Sequence, residues 1–317
     1  MSIHKIKASS KDYLWGGTKL ITEYGKKTDQ DIMAESWEIS SHTDGPSILV
    51  DENMTLKEYT DKYGAKVVGT KGAKFKEFPI LVKFIDAKDV LSIQVHPDDA
   101  YALENENQFG KNEMWYILEA EPGATIYYGV KETITKEAFK QAIEDDKILD
   151  VLNKVEVKPG DVIYVEAETI HAIGKGIVLC EIQQNSNVTY RVYDFARKDK
   201  DGKTRELHIQ QSVDVSNLNK IEPDFTAHGA KESLDGFSKQ LLIDSQYFTT
   251  TLYEVESKAS FNVDETSFVA FICLEGKLTV TNKDKEIQLV KGESIFIDAN
   301  SDLVEVSGKG NFIHVSV

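Results

Sequence analysis

"KPGDVIYVEAETIH", residues 158–171, and "VKGESIFIDANSDL", residues 290–303, follow one pattern. Aligned on Gly160 and Gly292, each gives a Gly–acid turn, an alternating apolar run and a second polar turn. A weaker echo pairs "WYILEAEPGATIYY" (115–128) with "AFICLEGKLTVTN" (270–282), if two residues are dropped before the glycine. The repeat implies two copies of one β-barrel unit, the second starting near residue 235. The copies differ at one position that matters: His171 in the first falls opposite Leu303 in the second.

Outward from these stretches, strand signals dominate. "FPILVKFID", "LSIQVH", "MWYIL", "TIYYGV", "IVLCEIQ", "TYRVYDF", "FVAFICLEGKLTV" and "FIHVSV" are rich in β-branched and aromatic residues and are separated by Gly, Pro, Asp and Asn. Helices are few and peripheral. "TLKEYTDKYG" opens on a Thr cap and ends in Gly64, "TKEAFKQAIEDD" is capped by Thr135, and "TRELHIQQS" is a third candidate. The expected fold is mainly β, with two jelly-roll barrels.

The chain has 317 residues, 41% of them hydrophobic and 28% charged, enough for a sizeable core in two domains. No apolar run reaches the roughly 18 residues a membrane helix needs, and "MSIHKIKASS" lacks a signal-peptide core. Two isolated cysteines, Cys180 and Cys273, form no disulfide framework, so a cytoplasmic location is expected. A net charge of −16 argues against nucleic acid as a partner. It leaves room for a small anion held by a few concentrated basic side chains.

Chemistry concentrates in the first copy. In "LSIQVHPDD", Gln94 and His96 share one face of a strand, while Ile93 and Val95 take the other. Glu113 follows after sixteen residues and His171 after a further fifty-seven. Singly, each has a structural reading: solvated strand ends for Gln94 and Glu113, satisfied core histidines for the other two. Together they resemble the two metal-binding motifs of cupin barrels, with Gln94 in place of the first histidine. Imidazole and carboxylate without thiolate suit zinc or another borderline divalent ion. The second copy has no counterparts of Gln94, His96 or Glu113.

In "IVLCEIQQ", Glu181 and Gln183 share a face, which reads as a polar lumen. Lys83 sits among apolar neighbours in "LVKF", and Lys111 lies two residues before Glu113. With Arg191, these lysines are the candidate basic patch for a small anion.

"FPILVKFIDA", "LSIQVHPDD", "GKNEMWYI" and "HAIGKGIVLCEIQQNSNVTYRVYDF", with the opening "LWGG" and "AESWEISSH", resemble the successive motifs of type I phosphomannose isomerases in their short bacterial form. The resemblance runs from about residue 13 to 213; the last hundred residues match only generally. It implies a cupin fold, Gln94, His96, Glu113 and His171 as ligands of one zinc ion per chain, and Arg191 as a catalytic arginine. It also implies interconversion of mannose 6-phosphate and fructose 6-phosphate through an enediol. Glu181 is the candidate base. The expected division is a catalytic metal-binding domain over 1–234 and a degenerate cupin domain over 235–317. A non-catalytic sugar-binding bicupin and an iron cupin oxygenase are the alternatives. The charged lumen speaks against the first, and an amide in a ligand place against the second.

Overall fold

A computed structural model describes residues 2–198 and 201–317. All the strand runs quoted above form strands, and the fold is mainly β. Both repeat motifs behave alike. Gly160 and Gly292 take φ of 92° and 85°, a region glycine enters without steric cost, and strands Val162–Val165 and Ser294–Ile297 follow them. The weaker echo diverges. In the first copy Glu113–Ala120 and Thr125–Val130 are separate strands, whereas in the second Val269–Asn282 is one long strand. Gly276, at φ 82°, lets that strand pass close to Lys309 without a turn.

By its contacts the chain forms two compact units. One comprises Met1–Lys11, Thr18–Phe84 and Thr226–Val317; the other comprises Asp12–Gly17 and Ile85–Phe225. The N-terminal segment groups with the C-terminal one because Ile3–Lys7 pairs antiparallel with Ser294–Ile297, aligning Ile3 with Ile297. The core of this unit gathers Ile3, Phe271, Ile295, Ile297, Val306 and Phe312.

The other unit is built on two sheets. One runs Leu152–Glu156, Thr125–Val130, His171–Ile173, Ile93–Val95, Tyr190–Tyr193; the other includes Val162–Val165, Glu113–Ala120 and Ile177–Gln184. Ile93, Val95, Ile170, Ala172, Tyr190 and Val192 pack one face of the first sheet against helix Lys136–Glu144 through Phe139 and Ile143. Alternation then turns Gln94, His171 and Arg191 to the opposite face.

Helix Leu56–Tyr63 carries a full capping box between Thr55 and Glu58, and Thr135 caps Lys136–Glu144. The third expected helix is shorter than "TRELHIQQS" suggests, starting at Ile209. Arg205 lies outside it because its guanidinium reaches Asp194 at 2.6–2.7 Å. No helix among the described residues is long and apolar enough to cross a membrane.

Candidate active site

Four side chains predicted as metal ligands arrive from three strands and one strand end. His171 stands directly opposite Gln94 in the antiparallel ladder, and Glu113 opens its own strand on the second sheet. His96, Glu113 and His171 are at most 1% exposed, and each offers a ligand atom within 4.8 Å of the others. Gln94 Nε2 lies 3.3 Å from His171 Nε2.

The hydrogen bonds decide which nitrogens face the centre. His96 Nδ1 lies 2.8 Å from the carbonyl of Val188, and His171 Nδ1 lies 2.8 Å from that of Thr169. A carbonyl only accepts, so both Nδ1 atoms carry the proton and both Nε2 atoms present lone pairs. His171 Nε2 is 3.1 Å from Glu113 Oε1, and His96 Nε2 is 3.7 Å from Glu113 Oε2. Lone pairs thus converge in a buried space, an arrangement that calls for a cation. Lys111 Nζ supplies one here, 2.6 Å from Glu113 Oε2 and 3.0 Å from His96 Nε2. Burial works to raise the Glu113 pKa, yet the Lys111 ammonium beside it outweighs this and holds the carboxyl well below its usual range. Burial pushes His96 well below its ordinary value, and the Lys111 ammonium adds to the shift. His96 thus stays a neutral imidazole beside an ionised carboxylate. These donors fit a divalent metal.

Arg191 faces Gln94 across the ladder, on the side away from His171. Its Nη1 donates to the carbonyl of Glu206 at 2.8 Å, and its buried Nε–H has no acceptor. Glu181 is 3% exposed, which places it in the interior, and its Oε2 accepts from Trp115 Nε1 at 3.0 Å.

Lys83 stands on strand Ile80–Ala87. It belongs to the other unit, where it pairs with Glu35 at 3.6 Å and lies over the Trp37 ring. Sequence reasoning missed Arg197 and Arg205. Both are ion-paired to Asp194, and with Asp12, Tyr13, Leu14 and Trp15 they line a cavity of about 320 Å³. Their density in "YDFARKDKDGKTREL" was the available signal. A second donor group, His4, Asp51 and Glu52, is less suited to metal, since both of its carboxylates are exposed.

Comparisons with known proteins agree on one family. The family described as "Phosphomannose isomerase type I, catalytic domain" matches residues 3–126, and "Mannose-6-phosphate isomerase, cupin domain" matches residues 238–317. The mannose-6-phosphate isomerase of Streptococcus mutans is 40% identical over 273 residues, 84% of each chain. The crystal structure of the mannose 6-phosphate isomerase from Bacillus subtilis superposes with a TM-score of 0.93 at 32% identity, covering 100% of both chains. A mannose 6-phosphate isomerase bound with zinc and yttrium shares the fold at 21% identity and a TM-score of 0.79, covering 99% of each chain. With the relatives covered nearly end to end, the chain belongs to the type I phosphomannose isomerases, enzymes that interconvert mannose 6-phosphate and fructose 6-phosphate.

Proposed function

We propose that Gln94, His96, Glu113 and His171 hold one zinc ion per chain, and that Glu181, Arg191 and Lys111 act on the sugar phosphate. The observation that carries this reading is the pair of Nε2 atoms turned toward one buried carboxylate. Two imidazoles, a carboxylate and an amide suit zinc among divalent ions, and a relative of the same fold is bound with it. When bound, the ion supplies residual positive charge that polarises sugar oxygens.

The remaining chemistry falls to the chain. Once the sugar ring is open, Glu181 removes the C2 proton while O1 gains one, giving the 1,2-enediol. That proton returns to C1 as O2 gives up its own, leaving the ketose with no net change in atoms. Arg191 directs its unused Nε–H at the charge that develops on the oxygens. Lys111 is the lysine this reading relies on; a bound ion would displace its ammonium from Glu113 toward substrate. The metal then belongs to residues 1–234, with none in 235–317. Cys180 and Cys273 are buried and neither is in a disulfide, which supports a reducing, cytoplasmic setting.

The test is an isomerase assay on mannose 6-phosphate before and after chelation, with metal measured in the same samples. Activity should fall with zinc and return with it. Full turnover in metal-free protein would overturn the ligand assignment.

A further inference from the structure

Trp115 is fully buried, two residues beyond Glu113 on the same strand and therefore on the same face. It stands directly opposite Glu181 in the ladder, as Glu113 stands opposite Gln183. Its Nε1–H donates to Glu181 Oε2 at 3.0 Å, and its ring meets the His171 ring edge-on, with centroids 5.4 Å apart at 74°. One indole thus touches both the candidate base and a candidate metal ligand.

A carboxylate turns easily about its last torsion, which has a broad minimum. Removing a carbon-bound proton demands an oxygen held in line with that bond. A rigid, buried donor removes the freedom without adding charge, so the carboxylate remains a base. Lysine or arginine in this place would hold the carboxylate as firmly but would lower its basicity. We propose that Trp115 is the positioning residue for Glu181, fixing the carboxylate plane relative to the centre that contains His171. This rests on the reading of Glu181 as the base.

The experiment compares Trp115→Phe, Glu181→Gln and the double variant, each with zinc content, kcat, KM and the deuterium isotope effect at C2 of mannose 6-phosphate. Trp115→Phe should lower kcat by about ten- to a hundredfold, with KM and zinc little changed and the isotope effect raised. The double variant should be no slower than Glu181→Gln alone, because the indole acts through that carboxylate. If Trp115→Phe does not fold, benzothienylalanine at the same position keeps the shape and removes only the N–H. Unchanged kcat in a folded, zinc-loaded variant, or additive losses in the double variant, overturns the proposal. Full activity of Glu181→Gln instead overturns the base assignment itself, which keeps the two failures apart.

Discussion

Arg191 lies directly across the antiparallel ladder from Gln94, which in turn lies directly across from His171. The row spans three adjacent strands. A guanidinium, an amide and an imidazole are thereby set at strand spacing by backbone hydrogen bonds rather than by loops. The cation is held at a fixed remove from the ligand centre, which is what stabilising a charge that exists only in the transition state requires.

Arg191→Ala should therefore lower kcat by roughly two to three orders of magnitude while zinc content stays unchanged. If Arg191 grips the phosphate instead, KM for mannose 6-phosphate rises and kcat holds. Steady-state kinetics on mannose 6-phosphate and on unphosphorylated mannose separate the two roles.

His171→Ala should lose bound zinc and activity together yet keep its far-ultraviolet dichroism. The apolar cluster around Ile93, Val95, Phe139 and Val192 folds this unit without the ion. Stoichiometric zinc retained by both His96→Ala and His171→Ala would falsify the site.

Metal analysis of the purified protein should find one tight equivalent. Among the described residues, no group suited to a metal includes any residue from 235 onward, and Leu303, at the place of His171, is 55% exposed. Leu303→His should not add a second tight site. His4→Ala should leave the stoichiometry as it is.

Asp194 gives a pH-dependent contribution whose sign is fixed. Burial works to raise its pKa, but Arg205 and Arg197 outweigh it and hold the carboxyl below the ordinary value. A carboxylate depressed in the folded state contributes stability above the unfolded pKa of about 3.9, and that contribution disappears as pH falls through the folded value. Asp194→Asn should cost about 1–2 kcal/mol at pH 7, since it removes the counter-charge of two partly exposed guanidinium groups. Denaturant melts of variant and parent should converge as the pH is lowered below about 4. A gap that stays constant down to pH 2 would contradict the assignment.

Much of this was legible in the sequence where the signal is local. Thr55 and Glu58 announce their helix three residues apart, and Gly160 and Gly292 announce the repeat. That Gln94 shares a face with His96 was legible through period-two alternation, since one hydrophobic face in "LSIQVH" obliges the polar residues to share the other. Long-range pairings were not. Arg205 reads as part of a helix until Asp194 claims it, and nothing near Lys83 announces its pairing with Glu35 or its place over Trp37. Nothing near Ile3 shows that its partner is Ile297.

That last pairing has a consequence for the order in which the protein is made. At about 5–20 residues per second, the ribosome takes on the order of half a minute to deliver the second strand after the first. Until then Ile3–Lys7 has no Ser294–Ile297 to pair with, and its apolar face stays open to other chains. The unit that carries the candidate metal site has all of its own sequence by Phe225. Metal-site assembly can precede closure of the other unit, and premature termination near the C-terminus would leave an assembled centre on a chain whose N-terminal strand is paired only with Ile48–Leu49.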